Sequence, residues 1–294
     1  TLRGLQVINL SIAHPLISCD RWWTDFILQN IMSLNTASLK QSLTGKFIGN
    51  RLHYYEEIGS TNDEAFRLGV EGAPEGTLLI AESQSAGKGR MQRVWHSPAG
   101  TNIYASIILR PTFEPSSAPQ ISIAAGVAVA ETLNLYCPGR VYLKWPNDVL
   151  IGAKKVCGIL AQMKMSKSAI DFVIVGIGVN VNMNYEQFPE DIQAIATSRA
   201  METGLEISRA GVIISLYEKL TKWYKQLQQN GFGRIREKWL SLSSMIGKSV
   251  SVMFREEVIS GEAIGLDEDG SLILLTSGNE TVKVSAGDAT ILKR

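Results

Sequence analysis

From Lys40 onward, apolar positions recur at two different periods, and the switches between them divide the chain into elements. Residues 51–57, 77–82 and 102–109 read as strands, the last two flanking a glycine-rich loop. Between the first two strands, Ser60-Thr61-Asn62-Asp63-Glu64 opens a helix. Thr61 and Glu64 fit a capping box, in which each side chain satisfies a backbone donor that the first turn leaves unpaired. Residues 121–135 are Ala-rich with helical period. Residues 141–145 and 156–163 suit two strands around a turn containing Pro146-Asn147-Asp148 and Gly152, and residues 171–181 suit another strand. A long helix then carries Ile213, Leu216, Tyr217, Leu220, Trp223, Tyr224 and Leu227 on one stripe, read as core, with Gly231 as its stop. A second helix covers 234–242.

Beyond Gly247 the pattern changes to short alternating segments at 249–254, 258–264, 271–275 and 281–285, separated by turn residues at 267–270 and 277–279. Such spacing predicts a small β-barrel, taken as a separate domain over residues 245–294. The elements before it lack the strict strand–helix–strand rhythm of a parallel doubly wound fold. The expected class is therefore α+β, with a mixed sheet and flanking helices over residues 43–244. Residues 1–42 are read as an N-terminal extension, with 1–31 outside the fold because Met32 precedes an ordinary polar start, Ser33-Leu34-Asn35-Thr36.

Composition narrows the function. With 294 residues, 45% of them hydrophobic, the chain can bury more than one core. A net charge of +1 gives no general attraction to nucleic acid or membrane surfaces, though a local basic loop is allowed. Cys19, Cys137 and Cys157 are far apart and form no CxxC pair, which fits a reducing cytoplasm. His14, His53 and His96 are unclustered, leaving little material for a histidine metal site or a serine-hydrolase triad. No apolar run approaches the ~18 residues that span a bilayer. Residues 5–17 make a poor signal peptide, being interrupted by His14 and Pro15 and preceded by Arg3 alone.

Three constellations carry chemistry. The first is Gln84-Ser85-Ala86-Gly87-Lys88-Gly89-Arg90, continuing to Arg93, Trp95, Ser97, Pro98 and Gly100. Glycines let successive N–H groups converge on an anion, and Lys88, Arg90 and Arg93 add charge, as a phosphate-bearing substrate requires. The same composition also suits a solvated surface loop. It is not a P-loop, since Glu82 stands where the first glycine would be and Gly89 follows Lys88. The second is Lys144-Trp145-Pro146-Asn147-Asp148, followed by Lys155-Val156-Cys157-Gly158-Ile159-Leu160. A strand-borne lysine beside a Trp-Pro corner reads equally as a side chain snorkelling to water or as a cation delivered to an acyl phosphate. Gly158 would admit close approach to the backbone. The third, Gly176-Ile177-Gly178-Val179-Asn180, lacks the third glycine and the following helix of a dinucleotide fingerprint. Its glycines make room for something packed on the strand.

In this order Ser60-Thr61-Asn62, Gly87-Lys88-Gly89-Arg90 with Arg93 and Trp95-His96-Ser97-Pro98, Lys144-Trp145-Pro146-Asn147-Asp148 with Lys155 and Gly158-Ile159-Leu160, and Gly176-Ile177-Gly178-Val179-Asn180 resemble the biotin protein ligase family, over residues 43–293. The resemblance implies a biotin/lipoate ligase-like catalytic domain with a small C-terminal Src-homology-3-like barrel. It implies that biotin and MgATP give biotinyl-5′-adenylate, and that a lysine of the biotin carboxyl carrier protein of acetyl-CoA carboxylase then takes the biotin. By the same resemblance Ser60, Thr61, Asn62, Gln84 and Gly158 bind biotin together with the loop residues Lys88, Gly89 and Arg90. Lys155 meets the activated carboxyl and α-phosphate, so that Lys155, Arg90 and Lys88 are the catalytic set. Arg93, Trp95, Trp145, Asn147 and Asn180 line the nucleotide side. No resident metal, DNA partner or membrane contact is implied, and a homodimer is allowed. The chain departs from the family pattern at Lys88, Met91 and Gln92, where arginine and glycine-containing pairs are commoner, and it lacks an arginine near 287–293. The N-terminal region lacks two clear helices with a basic face, so the expected type is one without a DNA-binding domain.

Overall fold

The computed structural model describes residues 34–254 and 257–292. The expected extension over 1–31, with His14 and Cys19, and the terminal Lys293 lie outside the described residues.

Seven strands form the main sheet: β1 (Leu52–Ile58), β2 (Leu78–Gln84), β3 (Ile103–Leu109), β4 (Val141–Lys144), β5 (Asp148–Ile151), β6 (Lys154–Ser166) and β7 (Ala169–Val179), in the order β1-β2-β3-β7-β6-β5-β4. Only β1 and β2 pair in parallel, so the sheet is mixed as the sequence predicts. The predicted turn around Pro146-Asn147-Asp148 is shorter than expected. Asp148 already starts β5, because the apolar run Val149-Leu150-Ile151 pairs with both β4 and β6.

Alternation along the central strands sorts side chains between two faces. Leu78 and Ile80, Ile103, Ala105 and Ile107, and Val173, Val175 and Ile177 join the larger core. There they meet α3 (Pro119–Leu133), α5 (Arg209–Asn230) and α6 (Gly233–Leu242), the short α4 (Arg199–Thr203) lying between α3 and α5 in the chain. α5 buries the predicted stripe and ends at Gly231, whose φ of +71° favours glycine. The intervening positions Leu79, Ile108, Phe172 and Ile174 face the other side, under Ala65 of α2 (Thr61–Val70). Ser106, Gly176 and Gly178 share that second face by the same count. It carries the site.

α1 (Thr36–Leu43) buries Leu39 and Leu43, and Leu34 just before it is buried too. Leu34 and Leu39 of the expected extension are thus packed into the larger core. The C-terminal strands β8 (Ser249–Phe254), β9 (Glu257–Leu266), β10 (Leu272–Leu275), β11 (Thr281–Val284) and β12 (Asp288–Ile291) form one antiparallel sheet in the order β11-β10-β9-β8-β12. Its last strand escaped the sequence reading because Asp288-Ala289-Thr290-Ile291 buries Ala289 alone and shows no run of large apolar residues. Trp145 ties the two sheets together. Its ring is buried against α3, and its indole N–H donates to the Gly270 carbonyl at 3.0 Å. A helix of the described residues long and apolar enough to cross a membrane is absent.

Candidate active site

α2 starts one residue earlier than a Thr61–Glu64 capping box requires. Ser60 is the N-cap, without a side-chain cap bond, and Thr61 is the first helical residue. The orphan N–H of Thr61 instead donates to Gln84 Oε1 at 2.9 Å, from the end of β2. Glu64 accepts from Tyr55 and Arg67. The predicted cap is therefore replaced by a link between two elements of the site.

That link extends into a continuous polar pocket. The Thr61 hydroxyl lies 3.0 Å from Gln84 Oε1 and 2.8 Å from Ser106 Oγ, which is 2.6 Å from Asn62 Oδ1. Asn62 Nδ2 donates to Gln162 Oε1 at 2.8 Å and to the Leu160 carbonyl at 3.3 Å. Gln84 Nε2 donates to Ser97 Oγ at 3.0 Å, and Ser97 donates to the Trp95 carbonyl at 2.8 Å. Ser60, Thr61, Asn62, Ser97 and Ser106 are all buried. Gly176 exists here for Asn62, since a methyl group at 176 would stand 2.0 Å from Asn62 Oδ1.

Lys155 reaches the same face through a bulge. β5 pairs Val149 with Cys157 but Leu150 with Lys155, so Val156 is an extra residue in β6. Positions 155 and 158 are an odd number apart and would otherwise point to opposite faces; the bulge re-aims Lys155. Its Nζ forms an ion pair with Asp148 at 2.6 Å and lies 5.6 Å from the Trp95 ring centroid. Trp95 in turn lies on Gly158 and Gly178, which are paired across β6 and β7. A methyl at 158 would come within 2.9 Å of the indole, and one at 178 within 2.5 Å. The glycines that the sequence marks as making room thus receive a side chain of the loop itself.

The loop is held at both ends. Lys88 pairs with Asp63 at 2.6 Å on the exposed side. Arg90 donates to Asn147 Oδ1 at 3.1 Å and to the Gly287 carbonyl at 3.2 Å, and pairs with Asp288 at 3.4 Å. Arg93 meets the same carboxylate at 2.5 Å. A strand of the C-terminal sheet therefore grips the catalytic loop. Between the two grips, Met91 and Gln92 have φ of +52° and +62°, a region that favours glycine, at a cost of roughly 1–2 kcal/mol each. The two departures from the family pattern at these positions coincide with that strain.

Arg90, Trp145, Asn147 and Leu160 also line an open cleft whose far wall is Gly270 and Ala286 of the C-terminal sheet. Asn147 spends its amide on the Ile159 carbonyl at 2.7 Å. Asn180, expected beside the nucleotide, is buried, with its side chain committed to Thr197 and Asn102, and it does not line this cleft. Asn62 likewise sits behind Thr61 with its amide saturated. Ser106, Gln162 and Asp288 went unmarked in the sequence, since no motif surrounds them, and Asp148 stood inside a quoted motif without a role.

The Glu82–Arg209 pair beneath the loop was also unmarked. Arg209 Nη1 donates to Glu82 at 2.8 Å and to the Asn102 carbonyl at 3.1 Å, and its side chain is 1% exposed. Burial pushes the Glu82 carboxyl up, but hydrogen bonding and charge from Arg209 outweigh it and hold the group below the usual carboxylate range. Cys137 and Cys157 are buried free thiols, and burial raises both. Groups of three or more His, Cys, Asp or Glu able to hold a metal are absent among the described residues.

A polar pocket, a lysine and a cationic loop on one face of a mixed sheet, with a small antiparallel sheet closing over the loop, define a cofactor-ligase scaffold. Residues 54–180 match the Biotin/lipoate A/B protein ligase family, and residues 245–291 match the Biotin protein ligase C terminal domain. The chain belongs to the biotin protein ligase family. It is 38% identical over 243 residues to the bifunctional ligase/repressor BirA of Bacillus spizizenii, covering 83% of this chain and 75% of that protein. It is 34% identical over 273 residues to the biotin–[acetyl-CoA-carboxylase] ligase of Mycobacterium tuberculosis, covering 88% and 96%. Among solved structures, biotin protein ligase from Aquifex aeolicus in complex with biotin and ATP superposes with a TM-score of 0.72 at 31% identity, covering 83% of this chain and 99% of that one.

Proposed function

We propose that this chain joins biotin to a protein lysine in two steps. A biotin carboxylate oxygen attacks the α-phosphorus of ATP and pyrophosphate leaves. The amine of a carrier-protein lysine then attacks the acyl carbon of biotinyl-5′-adenylate, and AMP leaves. The acceptor is the biotin carboxyl carrier protein of acetyl-CoA carboxylase, and the reaction takes place in the cytoplasm.

The observation that carries this reading is the convergence of the Thr61–Gln84 pocket, Lys155 and the Gly87–Arg90 segment on one sheet face. The pocket takes the ureido head. The acyl chain runs from the pocket toward Lys155 beside the Trp95 indole, which packs directly on Gly158 and Gly178 and covers that side of the site. Lys155 meets the carboxylate and α-phosphate, leaving Asp148 to neutralise it when no anion is there. Arg90, Arg93 and Lys88 close the loop over the adenylate, keeping water from a hydrolysable anhydride. Magnesium enters as part of MgATP, held mainly by phosphates as this ion usually is.

The family description also covers lipoate ligases, and the match to the biotin protein ligase C-terminal domain supports biotin. Incubation with ATP and either biotin or lipoate, followed by mass spectrometry of the acyl adenylate, separates them. Adenylate with lipoate alone would reverse the assignment.

A further inference from the structure

β7 stops short of Lys155. Its last pair with β6 is Val179 with Cys157, so the lysine lies two residues beyond it, at the Val156 bulge. The chain leaves β7 at Asn180, builds a small core of its own from Met183, Phe188 and Ala196, and returns beside β6 as a strap, residues 195–197. The strap runs parallel to Lys155 and takes both of its main-chain groups. The Lys155 N–H donates to the Ile195 carbonyl at 2.8 Å, and the Thr197 N–H donates to the Lys155 carbonyl at 2.9 Å. Thr197 is fully buried and is itself tied down. Its hydroxyl donates to Glu202 Oε1 of α4 at 2.9 Å, and its carbonyl accepts from Asn180 Nδ2 at 3.1 Å. Glu202 in turn pairs with Arg140, just before β4. The next residue, Ser198, caps α4 and donates to the Met183 carbonyl at 2.5 Å.

We propose that this strap sets the direction of the Lys155 side chain, and that Thr197 is a positioning residue for the adenylation step. The proposal rests on the ligase reading above and adds what holds its lysine on target. No β7 residue faces Lys155, and on the β5 side the bulge disrupts the ladder. The line of the Lys155 Cα–Cβ bond is then set by whatever holds its N–H and C=O, and here that is the strap. Two hydrogen bonds fix the stem, while Nζ stays free to exchange Asp148 for an incoming anion. A cation that stabilises developing charge must be held in place beforehand, and a misplacement of about 1 Å can cost roughly 100-fold in rate. Asn180 joins the two parts of the device. Its N–H donates to the Val156 carbonyl at 2.8 Å, inside the bulge, while its amide holds Thr197.

The test is single-turnover adenylate formation by the full chain at saturating biotin and MgATP, with KM values taken from ATP–pyrophosphate exchange. Thr197→Val removes the bond to Glu202 and keeps the shape of the side chain. It should slow adenylate formation about 10-fold while KM for biotin and for ATP stay within about 2-fold. Thr197→Ser, which keeps the hydroxyl, should stay near the wild-type rate. In a Lys155→Ala background, Thr197→Val should cost nothing further, because its effect passes through the lysine; a merely structural strap would cost the same in both backgrounds. A wild-type rate in Thr197→Val, or equal losses in the two backgrounds, would overturn the proposal. If Thr197→Val melts below the assay temperature, Glu202→Ala takes its place and is judged by the same cycle with Lys155→Ala. Absence of any biotin-dependent adenylate from the wild-type chain would instead overturn the ligase reading.

Discussion

Gly178→Ala tests whether the glycine track exists for the loop tryptophan. The new methyl would stand 2.5 Å from Trp95 Cε2 and Nε1 and 2.9 Å from Cζ2. Ordinary carbon contacts lie near ~3.5–4.0 Å, so the indole must withdraw by about 1 Å. β7 itself need not move, because its partners Tyr104 and Gly158 bond it through backbone. Overpacking of this kind costs about 1–3 kcal/mol, and here it falls on the loop arrangement. That corresponds to about a 5- to 150-fold loss of the loop arrangement that covers the adenylate. Single-turnover formation of adenylate, followed by its release rate on dilution, reads the loss directly. Release should accelerate within that range while the melting temperature stays near wild type. Unchanged release would show that Trp95 does not roof the site. A large fall in melting temperature without faster release would show that the strand, not the loop, yields.

Lys155→Ala should lower adenylate formation by about 10²–10³-fold or more with the circular dichroism spectrum unchanged, since the lysine is partly exposed and pairs with Asp148 alone among acidic groups; near-normal exchange removes it from the mechanism. Asp288→Asn should speed adenylate release about 2- to 10-fold, because Arg90 and Arg93 lose a shared carboxylate worth about 0.5–1.5 kcal/mol at this partial exposure. Equal release from variant and wild type would make the grip of the C-terminal sheet incidental. Glu82 has a folded pKa below its unfolded value, so the Arg209 pair contributes fully above the unfolded carboxylate range, about pH 4.3, and its contribution fades as pH falls through the lower folded value. Glu82→Gln should cost about 3–5 kcal/mol in denaturant unfolding at pH 7 and lose part of the acid slope; an identical acid slope in both proteins contradicts this.

Much of the sheet was legible because its central strands are buried on both faces and read as short continuous apolar runs, as in Leu78-Leu79-Ile80, and because α5 keeps one stripe. Gly176 and Gly178 make room for packed side chains as read, whereas Gly158, read as admitting a ligand to the backbone, lies under Trp95 as well. Their occupants were not legible, since Asn62 and Trp95 arrive from 114 and 83 positions upstream of Gly176 and Gly178 respectively. The face that Lys155 points to depends on the Val156 bulge, which alternation alone cannot reveal. Thr61 misread as a cap shows the same limit: the local partner Glu64 was in range, but Gln84 from the neighbouring strand takes the N–H.

The grip of Asp288 on Arg90 joins residues 198 positions apart. On the ribosome this interval is a delay. At ≈ 5–20 residues per second, roughly 10–40 s separate emergence of the arginine from that of the carboxylate that holds it. The pocket residues and Lys155 come out well before it, so the loop of a nascent chain stands without its C-terminal clamp for that interval.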